Sequence, residues 1–169
     1  MKVLILYYSR TGNTKNIAQL LSKELKADIE EIIDEKSRLG TLGYLTASLS
    51  AILKSNTKIN KLKKNPKNYD IVIIGSPVWM GSVSPAIRTY LKNNSTNLKK
   101  VVLFCSMGSR PSKIFHEMSK IIGKKPLSVM SFNSKEINDK LLKEKIKDFS
   151  EEIKQLAKVK QINLNILIP

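Results

Sequence analysis

Val3-Leu4-Ile5-Leu6-Tyr7-Tyr8-Ser9-Arg10-Thr11-Gly12-Asn13-Thr14 decides how the rest of this chain is read. An apolar run from Val3 to Tyr8 is stopped by Ser9-Arg10-Thr11-Gly12. Helical spacing follows at once, with Ile17, Leu20, Leu21 and Leu25 at i, i+3, i+4 and i+8. A fully apolar strand therefore feeds a short polar turn that opens directly into a helix.

The same alternation continues to the other end. Residues 28–33 read as a second short strand, and 39–53 return to helical spacing with Leu42, Leu45, Leu49, Ile52 and Leu53. A Lys/Asn-rich connection with Pro66 reads as loop, and Ile71 to Ile74 is a third, β-branched strand. Ala86, Ile87, Tyr90 and Leu91 mark the next helix, Val101 to Cys105 a fourth strand, and Ile114, Phe115, Met118, Ile121 and Ile122 another helix. Residues 127–132 form a fifth strand after Pro126, and a last helix spans about Asn138 to Lys158. Five strands alternating with helices predict an α/β fold, a doubly wound parallel sheet with helices on both faces. No repeat or linker divides residues 1–169, so one domain is expected. For 158–169 two readings stay open: the alternation of Ile162, Leu164 and Ile166 suits an extra edge strand, and a terminus suits a flexible tail.

Length and composition narrow the classes. At 169 residues and 41% hydrophobic the chain is long enough to bury a core. Its apolar runs fall far short of the ~18–20 residues that span a membrane, and no cleavage-site pattern follows Met1-Lys2. One cysteine, Cys105, allows no internal disulfide, and one histidine, His116, no His/Cys metal site, which points to the cytoplasm. Thirty Lys+Arg against fourteen Asp+Glu give +16, a balance that favours anionic partners and is screened by salt. The lysines are spread, at Lys54, Lys58, Lys61, Lys63, Lys64 and Lys67 and along Lys140 to Lys160, as a solvated face would spread them.

In such a sheet a ligand sits beyond the carboxyl ends of the strands, where strand order reverses. Ser9 to Thr14 lie there, with three hydroxyls and a glycine in six residues at a helix start. A helix start carries about half a positive charge and unpaired N–H groups, both suited to an anion. Gly12 lets the backbone come close, and Ser9, Thr11 and Thr14 can donate to phosphate oxygens. Ordinary capping by Thr11 or Asn13 would explain one residue but not the set. No Gly-x-x-x-x-Gly-Lys-Ser/Thr is present, and no two glycines are separated by a single residue, so neither the nucleoside-triphosphate loop nor the dinucleotide fingerprint applies. Cys105 to Arg110 is one residue short of a C-x5-R phosphatase loop, and Cys105 ends an apolar strand as a buried thiol does.

The order hydroxyl-x-Thr-Gly-x-Thr after a first strand resembles the phosphate loop of the flavodoxin family. Tyr69 to Gly81, including Gly75-Ser76-Pro77-Val78-Trp79-Met80-Gly81, and the continuation Pro85 to Leu91 are similar to that family's second signature. The resemblance covers about residues 2–157. It implies the sheet order 2-1-3-4-5, non-covalent FMN and electron transfer through the exposed flavin edge. It places Ser9, Arg10, Thr11, Gly12, Asn13 and Thr14 around the FMN phosphate. It places Ser76, Pro77, Val78, Trp79, Met80 and Gly81 at the ring, with the indole of Trp79 stacked on the flavin, although a tryptophan packed under a loop is the ordinary alternative. Ser106, Met107 and Gly108 bound the other side. Many flavodoxins carry a second aromatic in that last loop; this chain has none, which leaves the outer ring face for a partner or a substrate.

Three functions follow. The first is an electron carrier for redox partner proteins, acidic ones given the basic charge. The second is a flavodoxin-fold oxidoreductase with a small-molecule acceptor, such as a quinone or NAD(P)H-dependent reductase or a protoporphyrinogen-oxidase type. The third is a cofactor-free nucleic-acid or interaction protein. Gly40-Thr-Leu-Gly43 matches the short clamp of an RNA-binding domain, but a two-position match does not outweigh the five-strand pattern, and no specific nucleic acid is expected.

Overall fold

Strands that are apolar at every position must be covered on both sides, and two helical layers do this here. The computed structural model of the chain describes residues 1–35, 56–108, 113–133 and 140–165, with side chains through 158. The elements are β1 (Val3–Tyr7), α1 (Asn13–Leu25), β2 (Asp28–Glu31), β3 (Ile71–Trp79), β4 (Ser82–Val83), α2 (Pro85–Asn94), β5 (Val101–Met107), α3 (Ile114–Ile122), β6 (Ser128–Asn133) and α4 (Lys140–Asn165). The main sheet is parallel in the order β2-β1-β3-β5-β6, and β4 pairs antiparallel with the end of β3. Leaving β4 aside, this is the expected order 2-1-3-4-5. A two-residue strand is too short to show a periodic signal, which is why the sequence offers no sign of β4.

Alternate residues of each strand feed opposite cores. Val3, Ile5, Ile71, Ile73, Val102 and Phe104 pack with Ile17 and Leu21 of α1 and Ile146 and Phe149 of α4. Leu4, Leu6, Val72, Ile74, Leu103 and Cys105 face Ile87, Tyr90 and Leu91 of α2 and Ile114 and Met118 of α3. The edge strand β2 is polar at three of its four positions, and Glu30 accepts from the Lys63 and Lys64 amides at 2.7 and 2.9 Å.

Two boundaries differ most from expectation. The apolar run Ile71–Ile74 is only the first half of β3. Gly75 to Pro77 still pair with β5, out to Pro77 opposite Ser106, and Val78 and Trp79 pair with β4. The last helix continues past Lys158 to Asn165, so residues 162–165 are helical, not an edge strand. The stretch 39–53 expected to be helical, with Gly40 and Gly43, and residues 166–169 lie outside the described residues.

Gly75 is fixed by its neighbour. A Cβ there would lie 2.1 Å from Cζ of Phe104, a fully buried ring packed edge-on against Phe132 at 6.2 Å. Gly75→Ala is therefore expected to lower stability by roughly 1–3 kcal/mol through overpacking. Urea denaturation measures this, and an unchanged midpoint would show that the Phe104 ring can move aside freely.

Candidate functional site

The first helix starts without a side-chain cap. Its N-cap is Gly12, at φ 91°, which has no side chain to cap the helix start. Neither Thr11 nor Asn13 caps it. The Gly12 amide donates to Ser9 Oγ at 3.2 Å, which closes the turn, and the Asn16 amide makes the first helical bond to the Gly12 carbonyl at 2.9 Å. A left-handed glycine here reverses the chain so tightly that the first-turn amides, which have no intrahelical acceptor, face the strand ends. No acidic residue occupies that turn. Lys15 leans away toward Glu31 at 3.9 Å, and the Arg10 guanidinium lies 5.9 Å from the centre of the Trp79 ring.

Two other loops converge on this point. Thr14, 1% exposed, shares a 2.7 Å hydrogen bond with Ser106 Oγ, tying the start of α1 to the end of β5. Trp79 and Ser82 are the last pair of the β3–β4 hairpin, and the two residues between them have positive φ, 47° at Met80 and 76° at Gly81. This is what a two-residue type I′ hairpin demands. Trp79 is half-buried and meets Tyr8 edge-on at 5.5 Å, so it is not a tryptophan enclosed in the core. Met80 stands 63% exposed at the tip.

Between these loops is a cleft of about 220 Å³ lined by Arg10, Thr11, Asn13, Thr14, Pro77, Val78, Trp79, Met80, Ser106, Met107 and Gly108. All three expected loops contribute. Four expected site residues do not line it. Ser9 and Gly12 shape the turn behind it, Gly81 is at the hairpin tip, and Ser76 is buried beneath. The Ser76 hydroxyl donates to the Pro77 carbonyl at 2.9 Å and accepts from the Ser84 amide at 3.3 Å, so it serves the turn. A larger hollow of about 530 Å³ lies between residues 59–66 and the end of α2, but none of the three loops reaches it.

The sequence reading missed the residues that support the hairpin. Arg88 of α2, buried, bonds Glu117 Oε1 of α3 through Nη1 at 2.6 Å. Glu117 Oε2 accepts from Ser82 Oγ at 2.8 Å and from the Val83 amide at 3.1 Å. Arg88 Nη2 donates to Ser82 Oγ at 3.1 Å and to the Val83 carbonyl at 3.3 Å. The only available signal was an arginine on the apolar side of a helix. Burial alone would raise the Glu117 carboxyl; its bonds from Arg88, Val83 and Ser82, with the guanidinium's charge, outweigh this and hold it below the ordinary 4.5. Cys105 is buried and its thiol is pushed up to about 12 by that burial, which leaves no nucleophile. His116 is exposed on α3, and Ser109 and Arg110 lie outside the described residues.

A doubly wound sheet with a phosphate-type helix start and an aromatic hairpin at its switch point defines a flavin-mononucleotide class of fold. Residues 2–153 match the model of the Flavodoxin family, and the chain belongs to it. A flavoprotein from Lactobacillus acidophilus NCFM, solved in complex with FMN, is 26% identical, with 81% of this chain and 96% of that one covered and a TM-score of 0.65. A WrbA-like flavodoxin protein from Agrobacterium tumefaciens is 14% identical (93% and 97% covered, TM-score 0.61), and two-electron reduced Megasphaera elsdenii flavodoxin 20% (88% and 98%, TM-score 0.56). These two share the fold. A comparison with curated protein sequences gave no match. No helix among the described residues is long and apolar enough to cross a membrane.

The Glu117 geometry has a pH consequence. A carboxyl lowered by folding adds stability that is present above the unfolded value of about 4.5 and disappears as pH falls through the folded value. Glu117→Gln should flatten the acid limb of a stability–pH curve below about pH 4.5, read by thermal melts. An acid limb as steep as that of the parent protein would mean that other carboxylates carry it.

Proposed function

We propose that this protein binds FMN in the cleft and carries electrons between redox partners in the cytoplasm. One observation supports this above all: an uncapped helix start and a half-buried tryptophan share one cleft at the sheet's switch point. The flavin supplies the redox chemistry when bound, and the chain supplies the binding and the environment. First-turn amides of α1, with the hydroxyl of Thr11, receive the phosphate. Trp79 offers an indole face to the ring, and the Val78–Gly81 backbone offers hydrogen bonds to its edge. Met107 and Gly108 bound the other side. Purified protein should be yellow and release FMN identifiable by mass; well-folded protein with no affinity for FMN would end this reading. Trp79→Ala should weaken FMN binding about ten-fold in a fluorescence titration while leaving the fold intact.

The basic charge supports two further parts of the proposal. Positive charge favours the reduced, anionic flavin, so the second-electron potential should be less negative than that of acidic flavodoxins. If nearby lysines contribute about 1 kcal/mol, the shift is about 40 mV, and added salt should shrink it. A redox titration at two salt concentrations reads this, and a potential as low as that of acidic flavodoxins in the same salt counts against it. The partner would be an acidic redox protein whose association slows with salt.

A second reading has its own support. Residues 106–108 bring Met107 and an exposed Gly108, but no aromatic ring, to the outer side of the cleft. A face without a ring would admit a small acceptor, making the protein a flavodoxin-fold reductase. Turnover of a quinone with NADH or NADPH by the pure protein would favour the enzyme, and none across a panel would favour the carrier.

A further inference from the structure

We propose that Arg88 and Glu117 are positioning residues of the cofactor cleft, acting through Ser82 and Val83 to hold the Trp79–Gly81 hairpin where the flavin ring is received. The proposal rests on the FMN reading above. Neither side chain lines the cleft, so their effect passes through the hairpin.

The hairpin needs outside support. Its ladder contains only Val78 opposite Val83 and Trp79 opposite Ser82, and isolated two-stranded hairpins are marginal in water. Met80 adds strain, since a side chain at φ 47° is in the left-handed region. Besides the burial of Val83 in the core and the bond from the Ser84 amide to Ser76 Oγ, the returning strand is held by the ion pair. Glu117 takes the Val83 amide, Arg88 takes the Val83 carbonyl, and both take the Ser82 hydroxyl. Four charge-assisted contacts thus fix the two residues that pair with Val78 and Trp79.

Stability alone is a poor reason for this arrangement. Arg88 has a side-chain exposure of 3%, and its Nε has no hydrogen-bond partner. Burying a guanidinium and a carboxylate is expensive, and well-packed apolar residues often do as well or better. Register and placement are what a buried pair provides that apolar packing does not. Here the placed object is the strand opposite Trp79. The two α-helices involved also become a common support: α2 and α3 are joined to each other and to the hairpin by the same two side chains.

A role confined to the hairpin has a specific signature, because the phosphate end of the cleft is built separately on α1. Glu117→Gln is compared with the parent protein by titrating FMN, riboflavin and inorganic phosphate, the last by its competition with FMN. Affinity for FMN and for riboflavin should fall by the same factor, roughly ten-fold, with phosphate affinity unchanged. In the ligand-free variant, emission anisotropy of Trp79, the sole tryptophan, should fall as the hairpin loosens. The double variant R88M/E117L leaves no buried charge and serves if Glu117→Gln does not fold; it should melt near the parent temperature and show the same ring-specific loss. Parent-like ring affinity and anisotropy in the double variant would overturn the proposal, as would an equal loss for phosphate. If the parent protein binds neither FMN nor riboflavin, the cofactor reading fails by itself, and the anisotropy comparison still decides the positioning role.

Discussion

The amides that open α1 are the constraint around which the molecule is arranged. Gly12 in the left-handed region opens the helix with no side chain of its own to cap these donors. The positive end of the helix dipole there suits an anion. Both faces of the sheet are sealed by helices, so the carboxyl ends of β1, β3 and β5 are where a ligand can meet the backbone. The hydrogen bond shared by Thr14 and Ser106 fixes the helix start against the far side of the same opening. Of the cationic side chains nearby, Arg10 lines the cleft over the Trp79 ring, and Lys15 is turned to Glu31.

Around that fixed end the ring side is built from less self-sufficient parts. The β3–β4 hairpin is two pairs long and has a left-handed methionine at its tip. Its order is imposed from behind by two helices. A helix start built within one turn and a hairpin held by an ion pair from two helices divide the cleft between local and long-range interactions.

That division also explains what the sequence could and could not tell. The parallel sheet was legible because strands buried on both faces are written as unbroken apolar runs, as in Val3–Tyr8 and Val101–Cys105. The helix-start loop was legible because its residues are consecutive: Ser9 to Thr14 act within one turn, so spacing and chemistry are read together. Ser76 shows the limit of that kind of reading. It stands in the right loop, yet its hydroxyl is consumed by Pro77 and Ser84 below the surface. Strand β4 and the Arg88–Glu117 pair were invisible for different reasons. β4 is two residues long, too short to show a period, while Arg88 and Glu117 lie far apart in the chain, and a single sequence carries no record of which distant pairs meet. The far end of α4 misled because Ile162, Leu164 and Ile166 alternate like a strand, whereas the helix that precedes them continues to Asn165.

The burial of Cys105 bears on how the molecule would age. A thiol held at about 12 has a vanishing thiolate fraction at neutral pH, and the thiolate is the form that attacks peroxide. Sealed at the end of β5 behind Ile114 and Met118, it is shielded from oxidants in solution. Of the two exposed thioethers, Met1 and Met80, the more exposed is Met80, at the hairpin tip. Sulfoxide formation would therefore begin on a side chain that reductases can repair, beside the cleft, and leave the core sulfur untouched.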